Sequence, residues 1–149
     1  MEHARELAPV LHDPALHAFT GGEPQTEAQL RARYTRQLAG ASPDGAQGWL
    51  NWVARDRATR TPVGTVQATI SAGDDGHTAE LAWVIATRRQ RAGLATEAAS
   101  AAMDWLRRHG VTTFVAHIHP DHAASAAVAR HLGLRPTEGR REREVRWVG

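Results

Sequence analysis

The sequence contains no cysteine and no lysine. Without cysteine, a disulfide framework, a thiolate zinc site and a thiol nucleophile are excluded. Without lysine, the Gly-Lys-Ser/Thr ending of a phosphate-binding P-loop is excluded as well. Apolar runs are short, since none approaches the roughly 20 residues that cross a bilayer, and charges lie among the first residues, where a signal peptide is apolar. We therefore expect a cytoplasmic protein without a membrane partner.

The charge pattern gives little support for nucleic-acid binding. The pI is about 10.3, but the formal net charge is only +2, because all 18 basic side chains are arginines with very high pKa values. The arginines alternate with acidic residues and concentrate only at residues 88–91 and 140–146. A broad phosphate-backbone footprint would need a wider basic surface. A local anion site fits this distribution better, and we expect no nucleic-acid partner.

The length and composition favour one globular domain. The chain has 149 residues, of which 42% are hydrophobic and 23% charged, which suffices for a core without metal or disulfides. We find no repeat or low-complexity tract, and the turn-rich residues 40–48 are interpreted as a loop. The expectation is a single domain over residues 1–149.

Hydrophobic spacing predicts helices and strands in the order α-α-β-β-β-α-β-α-β. Helices are predicted over residues 7–19, 27–38 with Thr26 as cap, 93–109 ended by Gly110, and 123–132 with Asp121 as cap. Strands are predicted over residues 49–55, 63–70, 79–86, 111–119 and 142–148. The first three strands should form an antiparallel meander. The fourth follows a helical crossover and should therefore lie parallel to the third.

One segment has the features of a phosphate site. Gln90-Arg91-Ala92-Gly93-Leu94-Ala95 lies between a predicted strand and the longest predicted helix, where free N–H groups and the helix dipole attract an anion. Gly93 lets the main chain approach an oxyanion, and Ala95 avoids crowding it. The three glycines of a dinucleotide fingerprint are absent. The segment therefore predicts a compact pyrophosphate site.

These residues resemble the Q/R-x-x-G-x-G/A signature of the GNAT superfamily of N-acetyltransferases. The preceding Trp83-Val84-Ile85 and the following Thr96-Glu97-Ala98 resemble its ribosomal-protein N-terminal acetyltransferase branch. The segment from His119 to Ser125, and Leu132-Gly133-Leu134, resemble that branch's P-x-N-x-x-S and L-G-F segments. Motifs in this order cover about the C-terminal two-thirds of the chain.

The resemblance implies an α+β fold, in which a mixed, mainly antiparallel sheet has helices on both faces. A central parallel strand pair should splay at the cofactor site. It also implies an enzyme that transfers an acetyl group from acetyl-CoA to a primary amine of a small molecule or a protein N-terminus, without a metal, as a monomer or homodimer. The alternative is a non-catalytic acyl-CoA-binding regulatory module of the same fold.

The resemblance also implies which residues hold the cofactor. Main-chain groups of the third strand and the signature segment should bind it, together with two residues near the start of the last helix. The full set is Val84, Ile85, Ala86, Gln90, Arg91, Ala92, Gly93, Leu94, Ala95, Thr96, His122 and Ser125.

Catalysis needs a base for the amine and a proton for the departing thiolate. Glu80 is the leading base, with His77, His117 and His119 as rivals, and Ser125 is the candidate acid. Three features depart from the family pattern. His122 stands where asparagine is common, the only tyrosine, Tyr34, lies far upstream, and the family's first strand is missing, shortened or hidden in residues 1–6.

Overall fold

The computed structural model describes residues 2–19 and 21–149, and only the main chain of Glu2. Its helices and strands follow in the order α1 Glu2–Leu11, α2 Glu27–Gln37, β1 Gln47–Arg55, β2 Pro62–Gly73, β3 Gly76–Ile85, α3 Leu94–Arg108, β4 Val111–Ile118, α4 Ala123–His131, β5 Arg135–Arg141 and β6 Glu144–Val148. None of the helices within these described ranges has the length and apolarity that spanning a bilayer requires.

The N-terminal region differs from the single helix expected over residues 7–19. Helix α1 ends at Leu11, and a separate 3-10 turn, Pro14–His17, begins after Asp13, whose side chain accepts from the Ala15 N–H. Pro14 starts the turn because proline suits a first helical position and breaks a helix interior. The strand considered for residues 1–6 is not formed by residues 2–6, which are helical, and Met1 lies outside the described residues.

Helix α2 confirms its predicted start. The Thr26 side chain accepts from the Gln29 N–H, and the Gln29 side chain accepts from the Thr26 N–H, which together form a capping box. Leu30 is the buried residue of this helix. It also lines one of the cavities on this face of the sheet.

The six strands form one sheet in the order β1-β2-β3-β4-β6-β5. The β1, β2 and β3 strands form the predicted antiparallel meander. Strand β4 lies parallel to β3, as the crossover through α3 requires, and β6 is antiparallel to β4. The fold class expected from the sequence is confirmed.

The main core lies between the sheet and the two C-terminal helices. Met103 and Leu106 of α3 and Ala129 of α4 are buried against Leu81 and Phe114 of the central strands. Gly110 adopts φ 90° directly after α3, which confirms its predicted role as a left-handed helix end. Because side chains alternate along a strand, the neighbours of Leu81 point to the opposite face, towards α1 and α2.

The closing strand expected over residues 142–148 is confirmed as β6, Glu144–Val148, which pairs with β4. The strand before it, β5, was not predicted, and the two strands form a hairpin joined at Glu142 with φ 55°. Strand β5 is exposed throughout and therefore lacks the apolar alternation that reveals a strand. The cap of α4 is His122 rather than Asp121, because the His122 side chain accepts from the Ser125 N–H.

Candidate active site

A gap opens between the two parallel strands. Strands β3 and β4 are paired from His77 with Val111 to Glu80 with Val115, and their pairing ends there although β3 continues to Ile85. Beyond this point β4 pairs on its other side with β6, from Val115 to Ile118. The second half of β3 therefore has one edge without a strand partner, and main-chain groups on that edge are available to a ligand.

Alternation of the amides decides which residues of β3 face the gap. The Ala86 N–H donates to the Val63 carbonyl oxygen at 2.8 Å, on the β2 side. Successive residues point their amides to opposite edges, so Val84 also faces β2, whereas Ile85 and Trp83 face the gap. Among the three residues expected to offer main-chain groups, only Ile85 therefore has its amide on the open edge. Trp83, which was not among the predicted cofactor-binding residues, also has its amide on this edge.

The loop after β3 is tied back to this edge. The Gln90 side chain donates through Nε2 to the Ile85 carbonyl oxygen at 3.0 Å, and the Gln90 N–H donates to the Thr87 carbonyl oxygen. Gln90 is predicted to bind cofactor, and in the structure its side chain holds the loop against the strand. The loop then reaches α3 through two left-handed residues, Arg91 at φ 63° and Gly93 at φ 73°.

The start of α3 has the geometry expected of an anion site. Gly93 is the N-cap and provides no side-chain hydrogen bond to the helix. The N–H groups of Leu94, Ala95 and Thr96 lie in the first turn and have no intrahelical acceptor. A Cβ built at Gly93 meets no atom within 4 Å. Glycine thus suits the left-handed backbone at this position, and its lack of a side chain leaves the approach to these amides open.

The β1–β2 hairpin loop anchors both sides of this helix start. Asp56 forms an ion pair with Arg89, and its carboxylate also accepts from the Ala58 and Thr59 N–H groups. These bonds, the one from Thr59 first, lower the pKa of Asp56 to about 2. Arg57 pairs with Glu97 in the first turn of α3 at 3.0 Å. The hairpin loop therefore contacts both ends of residues 89–97, which contain the predicted pyrophosphate-binding segment and are called the phosphate loop below.

A carboxylate and an imidazole meet where β3 and β4 part. Glu80 Oε1 lies 3.2 Å from His117 Nδ1. Arg141, from the β5–β6 hairpin, donates to both Glu80 oxygens at 2.6 and 3.1 Å. The His117 side chain is only 11% exposed. When Nδ1 carries the proton and donates to Glu80, Nε2 is left with a lone pair that can accept a proton.

The other two rival bases lie elsewhere. His77 is three residues before Glu80 on β3, which is roughly 10 Å along a strand, and it faces the other side of the sheet. His119 lies beyond the end of β4, where its Nδ1 accepts from the Asp121 N–H at 3.2 Å. Among the four candidates, only Glu80 and His117 are in contact. Arg141 is the residue that sequence reasoning missed, because it lies 61 residues from Glu80 in the sequence.

His122 and Ser125 lie together at the start of α4. His122 Nδ1 accepts from the Ser125 N–H at 3.4 Å, and the His122 ring stacks on Phe19 with centroids 4.3 Å apart. Burial, with a smaller contribution from His119, lowers the pKa of His122 below its usual value. The neutral ring therefore serves as the helix cap at neutral pH.

A cavity of about 260 Å³ opens on the α1–α2 face of the sheet, beside the second half of β3. Its lining includes Val84, Thr65, Tyr34, Arg33 and His17. Burial raises the pKa of the Tyr34 hydroxyl, against a smaller opposing effect of Arg33. Sequence position had placed this tyrosine far from the signature, but the fold brings it to a cavity that Val84 also lines.

The parting of a parallel strand pair beside an open helix start agrees with the class to which the family comparison assigns the chain, the acyl-CoA-dependent acetyltransferases. The chain belongs to the GNAT acetyltransferase family, because residues 1–135 match the model of the acetyltransferase (GNAT) domain. A comparison with curated proteins gives no match. Within the described residues, no group of three or more histidine or acidic side chains is placed to hold a metal ion.

Solved structures share this fold across nearly the whole chain. The ribosomal-protein-S5-alanine acetyltransferase from Vibrio fischeri superposes with a TM-score of 0.79 at 17% identity, over 99% of this chain and 87% of the other. The spermidine N-acetyltransferase from Vibrio cholerae, in complex with CoA and spermine, gives 0.74 at 17% identity, over 99% and 89%. An aminoglycoside acetyltransferase in complex with coenzyme A gives 0.77 at 16% identity, over 99% and 89%. At these identities the likeness concerns the fold.

Proposed function

We propose that the chain transfers an acetyl group from acetyl-CoA to a primary amine of a small molecule or a protein N-terminus. The observation that carries this proposal is the position of Glu80 and His117 at the fork of β3 and β4. A proton acceptor lies there beside an unpaired strand edge. Two of the similar structures contain coenzyme A, which supports the choice of donor.

The residues at the gap and at the start of α3 fit a nucleotide thioester. The uncapped N–H groups of Leu94, Ala95 and Thr96 would hold the pyrophosphate, and the exposed Arg91 would add positive charge. The gap edge of Ile85 would bind the amide groups of the pantetheine arm, and His122 with Ser125 would line its other side. When bound, acetyl-CoA supplies the activated acetyl group.

Glu80 and His117 act in this proposal as one base. An alkyl amine is protonated at neutral pH and must lose a proton before it can attack a carbonyl carbon. Glu80 holds the Nδ1–H of His117, so that Nε2 is the acceptor, while a water on Glu80 is the second route for the proton. Arg141 fixes the Glu80 carboxylate with two charge-assisted hydrogen bonds.

Ser125 is the proposed proton donor to the departing sulfur, directly or through water. Its N–H is used by the His122 cap, which fixes the first turn of α4. Tyr34 is a second candidate, because it lines the cavity beside Val84 and a phenol is protonated at neutral pH. Comparing Ser125→Ala with Tyr34→Phe would separate these two roles.

The test is thiol release from acetyl-CoA across a panel of primary amines that includes alkylamines, amino acids, polyamines and short peptides. We expect a rate that depends on the acceptor and saturates with its concentration. Binding of acetyl-CoA with only slow, acceptor-independent hydrolysis would instead identify a regulatory module of the same fold.

A further inference from the structure

Arg33 of α2 carries its positive charge into the cavity beside β3. Its Nη1 donates to the Gln25 side-chain oxygen at 3.3 Å, and its Nη2 donates to the Gln67 side-chain oxygen at 2.9 Å. Gln67 is oriented for this contact because its own amide nitrogen donates to Asn51 at 2.7 Å. Arg33 is thus held by two neutral amide groups.

Among the described side chains of residues 3–19 and 21–149, Arg33 has no carboxylate partner within 4.0 Å. Several other arginines do have one, including Arg31 on the same helix, which pairs with Glu27. Neutral amide oxygens orient a guanidinium but leave its charge uncompensated, and a half-buried charge without a counterion is costly. Such a group favours a ligand that brings the missing negative charge.

A second cavity continues the same surface. It has a volume of about 280 Å³, shares Arg33 and Gln67 with the first, and adds Arg36 from the next turn of α2. The side chains that line the two cavities include these two arginines and no aspartate or glutamate. A polycation in this cleft would meet two positive groups without a compensating acid, whereas a carboxylate would meet a preformed partner.

The second cavity also extends towards the proposed base. Thr69, which lines it together with Arg33, lies directly opposite Glu80 in the β2–β3 register. Directly opposite side chains on neighbouring strands share a face, so the Glu80 carboxylate lies on the face of the sheet that this cavity occupies. A volume of about 280 Å³ suits a metabolite rather than a drug-sized ligand.

We infer that the acceptor is a small primary amine that also carries a carboxylate, with Arg33 binding the carboxylate while the amine lies towards Glu80 and His117 at the fork of β3 and β4. This inference rests on the proposed acetyl transfer and names its substrate class. It makes Arg33 the residue that selects amino acids over alkylamines and polyamines.

The experiment compares β-alanine, γ-aminobutyrate and 5-aminopentanoate with propylamine, butylamine, pentylamine and cadaverine. These amines have similar basicity and differ in the group at the far end. We expect kcat/KM for the best amino acid to exceed that for its matched alkylamine by roughly tenfold or more, because a charge-assisted contact is lost without the carboxylate. Equal or faster acetylation of the alkylamines or of cadaverine would overturn the inference.

Variants test whether Arg33 causes the preference for amino acids over alkylamines. Arg33→Gln should remove this preference and leave the KM of acetyl-CoA unchanged. Arg33→Lys should retain part of the preference because the charge remains. Gln67→Glu, which places a carboxylate against Arg33, should remove it as well. Arg31→Gln, the same substitution on the exposed face of α2, is the matched control and should keep it. A preference that survives both Arg33→Gln and Gln67→Glu would contradict the role of Arg33.

Calorimetry with γ-aminobutyrate in the presence of CoA separates the pocket from the chemistry. Binding to the wild type but not to Arg33→Gln supports the carboxylate site even where no amine is acetylated, so that only the proposed function fails. Absence of binding to the wild type by all three amino acids would overturn the site itself.

Discussion

Glu80 and His117 share a hydrogen bond at the fork, and the two residues make separable predictions. Glu80→Gln should lower kcat for the amine by roughly 10²- to 10⁴-fold, the usual contribution of a general base, and leave the Kd of acetyl-CoA nearly unchanged. His117→Gln should lower kcat as far if Nε2 takes the proton, and much less if a water on Glu80 does. Stopped-flow thiol release gives both rates.

The matched control for this pair is His77→Gln. It makes the same change on β3, outside the fork and on the opposite face of the sheet. We expect its kcat to remain at the wild-type level. A Glu80→Gln variant with wild-type turnover would remove Glu80 from the catalytic machinery.

His122 makes stability depend on pH. Its pKa lies below the ordinary value of 6.5, so between these two values the unfolded chain binds a proton that the folded chain does not. The free energy of unfolding of the wild type should therefore fall as pH drops below about 6.5, where protonation also removes the acceptor that caps α4. His122→Asn should flatten this dependence, as measured by urea denaturation between pH 7.5 and 5.

Phe19→Ala tests the cause of that shift. The Phe19 ring stacks on His122, and its removal should expose the imidazole and bring its pKa back towards the usual value. The pH dependence of unfolding should weaken in this variant too. If the free energy of unfolding of His122→Asn falls with decreasing pH as steeply as that of the wild type, other groups cause the pH dependence.

At the scale of elements, the β1–β2 hairpin loop stabilises the phosphate loop through Asp56 and Arg89. Because the pKa of Asp56 is lowered to about 2, its contribution is present above the unfolded value of about 4 and is lost as pH falls towards 2. Asp56→Asn should therefore unfold more readily than the wild type at pH 6, and the difference should shrink between pH 4 and 2. A difference that stays constant over this window would contradict the ion pair.

Local patterns in the sequence predicted most elements because each depends on neighbouring residues. The capping box at Thr26, the left-handed end at Gly110 and the crossover that makes β3 and β4 parallel follow from short-range chemistry. Strand β5 was missed because all its residues are exposed and carry no apolar alternation. The Asp121 cap was wrong because a histidine one residue later took the same role.

The candidate site was only partly predictable, since its contacts join distant segments. Arg141 reaches Glu80 across 61 residues, and Tyr34 reaches the cavity beside Val84 only through the packing of α2 on the sheet. The amides of β3 that face the gap are those that do not bond to β2. Sequence motifs do not show which amides these are. Only the hydrogen bond from the Ala86 N–H to the Val63 carbonyl oxygen shows that the amide of Ile85, and not that of Ala86, faces the gap.

At the scale of the whole molecule, the proposed function requires the sheet and α3 to bring a thioester site and an acceptor cavity together. The account requires acetyl-CoA to bind at the start of α3, so a charge placed there should prevent binding. Gly93→Glu introduces that charge, and Gly110→Glu introduces the same residue at the other end of α3. Both glycines have positive φ and open space around a built Cβ, so both variants should lose roughly 1–2 kcal/mol of stability from backbone strain.

Isothermal titration calorimetry of acetyl-CoA against the wild type, Gly93→Glu and Gly110→Glu is therefore the most direct test. The account predicts saturable binding to the wild type and to Gly110→Glu, and a Kd weakened by at least about 100-fold in Gly93→Glu, where a carboxylate replaces the open approach to the helix amides. Absence of binding to the folded wild type, or equal binding to all three proteins, would contradict it.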